Sequence, residues 1–166
     1  MKPRTLLITG LFLLMGSTTL LHAQSTGKLD TAVADGYLAI IIPSYNNFQQ
    51  LLKMDITQFA GSMTGHNYVM DNEEAINTYK IESFKSTYTI HKSDYEVEFY
   101  LSSISGFLSS LKTDMKKLFP KAKHTGEGTG DEIFEYETRD ASGVHSYTLT
   151  ISSHNSEKVY ISLMQF

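Results

Sequence analysis

Across residues 95–101 apolar and polar residues alternate without a break: Tyr95, Val97, Phe99 and Leu101 against Glu96, Glu98 and Tyr100. A period of two belongs to a strand, and a strand apolar on one side only has a core on that side and an open face on the other. Tyr147, Leu149 and Ile151 alternate with small polar residues in the same way, and so do Val159, Ile161 and Leu163. Further strands are expected at 76–82, 87–91, 133–138, 144–152 and 159–164. Lys92-Ser93-Asp94, Ser142-Gly143 and His154-Asn155-Ser156 supply turns between them.

Helical periodicity interrupts these strands. After Pro43-Ser44, Phe48, Leu51 and Leu52 recur at helical spacing. Asp55-Ile56-Thr57-Gln58 reads as a capping box, with Ile56, Phe59 and Met63 on one face behind it and Gly65 to end the turn. Ser105 can cap a longer helix running to Phe119, whose core stripe is Leu108, Leu111, Met115 and Leu118, and Pro120 ends it. Residues 31–42 stay open between strand and helix: Ala32, Ala34 and Ala39 favour helix, and Ile40-Ile41-Ile42 favours strand. The expectation is an α+β fold, an antiparallel sheet of about six strands with helices packed on one face. Segments 55–102 and 105–166 share the order of a helix and then three strands, and Thr87-Tyr88-Thr89-Ile90 echoes Ser146-Tyr147-Thr148-Leu149. A tandem duplication and ordinary strand composition both account for that echo.

The amino terminus reads as an address. Lys2 and Arg4 precede an apolar run from Leu6 to Met15, and Leu21-His22-Ala23 closes on a small residue. That is the pattern of a secretory signal peptide cleaved after Ala23; the run is broken by Gly10 and Gly16 and falls short of the about 20 residues a spanning helix needs. Cleavage of 23 residues from 166 leaves 143, enough for one α+β domain over 31–166 behind a loose leader at 24–30. The mature chain is expected in the periplasm or outside the cell, without a membrane span.

Cysteine is absent. A lipid-modified cysteine anchor, thiol catalysis, thiolate zinc sites and iron–sulfur clusters are therefore excluded, and the exported chain has to stand on its core. The signal carries two basic and no acidic residues, so its removal takes the net charge from −4 to −6. An acidic chain is a poor fit to nucleic acid, where phosphate contacts favour a basic face.

Chemical motifs are few. His124-Thr-Gly-Glu-Gly-Thr-Gly-Asp-Glu132 is glycine-rich, but it leaves a helix and enters a strand, the reverse of a phosphate loop, and Glu127, Asp131 and Glu132 would repel phosphate. It reads as a slack connection. Ser109-Ser110-Leu111-Lys112 has the Ser-x-x-Lys spacing of penicillin-binding enzymes, without their Ser-x-Asn and Lys-Thr-Gly partners. His66, His91, His124, His145 and His154 form no paired-ligand spacing. No residue is assigned to catalysis, a cofactor or a metal.

Two features point to binding. Tyr100 and Tyr160 fall on the strand face opposite the apolar residues, where a tyrosine offers a large contact area and one polar handle. Lys112, Lys116, Lys117, Lys121 and Lys123 gather in the last turns of the longer helix and just beyond, either complementing its negative end or forming a basic patch for an acidic partner. The expected function is a non-catalytic exported module of the bacterial envelope that binds a protein or envelope component. Alternatives are a small hydrolase with a loop-assembled His/carboxylate site and a carrier of small apolar ligands. In element order, the paired helix-plus-sheet halves resemble exported inhibitors of the β-lactamase-inhibitor type, which implies protein binding and assigns no residues.

Overall fold

The computed structural model describes residues 28–72, 76–102, 105–126, 130–155 and 158–166. Residues 31–42, ambiguous in sequence, fold as a hairpin of β1 (Thr31–Ala34) and β2 (Leu38–Ile41). Asp35-Gly36-Tyr37 connect the strands; Asp35 and Gly36 both have positive φ (51° and 80°), and the Tyr37 amide closes the turn on the Ala34 carbonyl at 3.2 Å.

α1 (Tyr45–Lys53) starts where the Ser44 side chain accepts the amide hydrogen of Asn47. α2 (Ile56–Gly65) starts at the expected capping box: Asp55 accepts from the Gln58 amide at 2.8 Å while the Gln58 side chain accepts from the Asp55 amide at 3.1 Å. β3 (Val69–Met70), β4 (Thr78–Glu82), β5 (Thr87–Lys92) and β6 (Glu96–Ser102) then form a meander. α3 (Ser105–Leu118) begins the second half, followed by β7 (Lys123–Thr125), β8 (Asp131–Asp140), β9 (Gly143–Asn155) and β10 (Lys158–Gln165). The cap expected from the Ser105 side chain lies outside the described residues, as do the signal peptide, Glu127–Thr129 and the side chain of His154.

The sheet is larger than about six strands. Among the described residues it has eight antiparallel strands in the order β3-β4-β5-β6-β10-β9-β8-β7, with β1-β2 apart. Each half is a helix followed by four strands, not three, because β3 and β7 are short edge strands. The last strand of each half lies at the centre, so the strand order reads as a two-fold repetition about the β6–β10 seam. Tyr88 and Tyr147, the matching residues of the echoed tetrapeptides, both lie buried on the third strand of their meander.

The three helices among the described residues lie on one face. Phe48 of α1 meets Phe99 of β6 edge-on at 5.0 Å, Phe59 of α2 meets Tyr79 of β4 at 5.5 Å, and Leu111 and Met115 of α3 are buried. The α3 stripe is shorter than its spacing predicts. Leu118 is 51 % exposed, because the helix ends there and Phe119 turns in to stack on Tyr136 at 4.1 Å. One apolar cluster runs beneath both halves, through Val97, Phe99 and Leu101 and through Val159, Ile161 and Leu163. Among the described residues no helix is long and apolar enough to cross a membrane.

Candidate functional site

Among the described residues the opposite face of the sheet carries no helix, and its residues follow from register. Lys80, Thr89, Tyr100, Tyr160 and Ser152 form one row across β4, β5, β6, β10 and β9. Thr78, His91, Glu98, Ser162 and Thr150 form the next. The two expected tyrosines are thus direct cross-strand partners on the seam between the halves. Their ring centroids are 5.1 Å apart, tilted by 51°.

Glu98 holds this pair. The Tyr160 hydroxyl donates to its Oε1 at 2.8 Å and the Tyr100 hydroxyl approaches Oε2 at 3.5 Å. Partial burial raises the Tyr160 phenol above its ordinary value, a hydrogen bond with Ser162 opposes that, and the Glu98 charge adds to it. The hydroxyl therefore stays a donor at neutral pH. Glu96, two residues along the same face, is also raised: partial burial is the main cause, Ser162 opposes it, and the Glu98 charge adds to it. His91 is tied through Nδ1 to the Thr78 hydroxyl at 3.0 Å. No lysine or arginine forms an ion pair with Glu96 or Glu98 among the described residues.

A pH dependence follows. A carboxyl group raised on folding binds more protons in the native than in the unfolded chain over the interval between its two pKa values. Its contribution favours the fold at low pH and is lost as pH rises from the ordinary glutamate range through the raised native value. Glu96→Gln should therefore raise the urea midpoint at pH 7 relative to the parent, and the difference should shrink as pH falls below 4. A variant less stable than the parent at pH 7 would contradict the assignment.

The lysines divide. Lys112 forms an ion pair with Glu132 of β8, a residue 7 % exposed, whose other oxygen lies 3.3 Å from His124 Nε2. This ties α3 to the sheet, and it occupies the lysine of the Ser-x-x-Lys spacing. Lys116, Lys117 and Lys121 are exposed at the end of α3 and beyond it. Lys121 borders an open groove of about 790 Å³ between the α3–β7 connection and β8–β9, with Phe119, Tyr136, Tyr147 and Phe166. The basic helix end and the tyrosine pair therefore sit on different faces.

The histidines are spread over several elements. His66 caps α2 through Nδ1 to the Ser62 carbonyl at 2.8 Å, and His124 stacks on Phe134 at 4.1 Å. In the β8–β9 turn, Ser142, His145 and Asp140 meet. The Ser142 hydroxyl and Asp140 Oδ1 both approach His145 Nε2, at 2.9 and 3.1 Å, and Gln165 faces Nδ1 at 3.3 Å. A nucleophile relay needs serine and carboxylate on opposite ring nitrogens. Here they share one, and the Ser142 hydroxyl donates to Asp140 at 2.6 Å, so the cluster staples a turn. The Ser142 side chain and amide, with His145 behind them, hold the Asp140 carboxyl well below its usual range. Among the described residues no three His, Asp or Glu side chains are grouped to hold a metal ion.

The residue roles invisible in sequence are those of Glu98, Glu132 and Asn47. The first two depend on strand register and the third on the docking of the β1–β2 hairpin. The chain matches no protein family, no curated protein and no solved structure.

Proposed function

We propose that the chain is an exported, non-catalytic binding module of the bacterial envelope that docks a protein or envelope component on the open face of its sheet. The observation that carries this is the Tyr100–Tyr160 pair, braced by Glu98 at the centre of the polar face opposite the three described helices. Two aromatic rings fixed before binding contribute contact area with little further loss of rotamer freedom. Among the described residues Glu96 and Glu98 form no ion pair with a lysine or arginine, so a partner supplying one between them would complete the site. Export is supported by the basic, apolar and small-residue sequence of positions 1–23.

The test is capture by immobilised mature chain from an envelope extract, with Tyr100→Ser and Tyr160→Ser introduced together. Central aromatic anchors lose about 2 kcal/mol or more when truncated, so the double variant should bind at least about tenfold more weakly. Thermal unfolding should stay close to the parent, since both rings lie on the solvent side. Undiminished capture would move the site off this face.

A further inference from the structure

β8 is ten residues long, but its outer neighbour β7 pairs only with Ile133, Phe134 and Glu135. The stretch 136–140 (Tyr-Glu-Thr-Arg-Asp) has β9 on its inner side and no strand on its outer side among the described residues. Among the described residues no loop or turn backbone hydrogen bond reaches it from elsewhere. Unpaired edge backbone of this kind is a template for another strand.

We infer that two copies of the chain associate along this edge, β8 against β8, antiparallel about Thr138. The charge pattern selects this occupant and this register. With Thr138 opposite Thr138, Glu137 of each copy faces Arg139 of the other, on the open face of the joined sheet. Glu137 and Arg139 are exposed and neither forms an ion pair among the described residues. Arg139 is also the single arginine beyond Arg4. A shift of one pair toward β7 sets Glu137 against Glu137, and a shift the other way sets Arg139 against Arg139. Opposed like charges disfavour both.

Length agrees with charge. β8 ends at Asp140, where the Ser142–His145 staple turns the chain away into β9, so the second copy's strand finishes opposite Tyr136, just short of β7. Its Asp140 then lies at the groove bordered by Lys121 and Lys123. The contact is isologous and closes at two copies, because β3 and β7, the outermost strands, are two and three residues long.

Sedimentation velocity and native mass spectrometry of the mature chain over a concentration series up to about 100 µM provide the test. A concentration-dependent dimer is expected. Glu137→Arg and Arg139→Glu should each weaken it about tenfold or more, by placing like charges opposite twice per interface. An equimolar mixture of the two variants should recover a heterodimer of parental strength, which also shows that both remain folded. A parent that is monomeric throughout would overturn the inference. So would single variants that dimerise unchanged, or a mixture that fails to recover. Loss of dimer in the single variants with full capture of the open-face partner would separate this edge from the tyrosine site.

Discussion

Phe99→Ala should remove about 3–5 kcal/mol of stability, a large share of the about 5–15 kcal/mol that a domain of this size possesses. Phe99 is fully buried on β6, with Ile90 and Ile161 as its cross-strand neighbours and Phe48 of α1 set edge-on against its ring. It therefore touches three things at once: the first meander, the second meander across the seam, and the helix layer. A cavity here cannot be filled by a shift of one element without parting it from another, which places the cost toward the upper end of the range. Urea unfolding should show one cooperative transition at a lower midpoint. Tyr100→Ala, the next residue on the opposite face, serves as the contrast and should cost well under 2 kcal/mol. Equal losses at the two positions would mean that the sheet is not one-sided.

The side-specific part of this argument is legible in the sequence alone. Val97, Phe99 and Leu101 alternate with Glu96, Glu98 and Tyr100, and side chains two apart share a face whatever the strand pairs with. The α2 start was legible for a similar reason, since a capping box is closed within four residues. The extra strands were not. Val69–Met70 is two residues long and exposed, and Lys123–Thr125 carries no alternation, so neither has a periodic signal; only pairing to β4 and β8 defines them. Asp35-Gly36 could have settled residues 31–42, because two successive positive-φ positions favour this dipeptide in a hairpin.

The candidate site divides along the same line. The faces of Tyr100 and Tyr160 follow from alternation within each strand. Their contact depends on the register between β6 and β10, which lie in different halves with no turn joining them, and a shift of two residues would preserve every face while separating the rings. Lys112 shows the converse. Its helical position suggests a solvated patch, yet it pairs with Glu132, a residue of the glycine-rich stretch that reads as slack chain. The start of that stretch is strand β7, and it connects strand to strand, not helix to strand.

Asn47→Ala should cost about 2–3 kcal/mol, less than Phe99→Ala and for a different reason. Asn47 is fully buried in the first turn of α1 and uses its whole side chain. Oδ1 accepts the Asp30 amide at 2.8 Å, and Nδ2 donates to the carbonyls of Asp30 and Ile42, both at 2.8 Å. Asp30 precedes β1 and Ile42 follows β2, so one side chain ties both ends of the hairpin to the helix, while the Ser44 hydroxyl donates to the Asp30 carboxylate at 2.6 Å. Alanine leaves the Asp30 amide without its partner, worth about 1–3 kcal/mol when desolvated, and takes one of two donors from each carbonyl, since the Ile42 amide still reaches the Asp30 carbonyl at 3.2 Å and the Ser44 amide the Ile42 carbonyl at 2.9 Å. Hydrogen exchange should then show amides of β1 and β2 losing protection ahead of those in β5, β6 and β10. Asn47→Asp keeps the volume and the acceptor for the Asp30 amide but presents carboxylate oxygens to two carbonyls. It should fall at least as far as alanine at pH 7 and recover part of the loss in acid, where the protonated acid can donate once. An aspartate variant as stable as the parent at neutral pH would show that the hairpin is held by the burial of Ile40 and Ile41 and not by this amide.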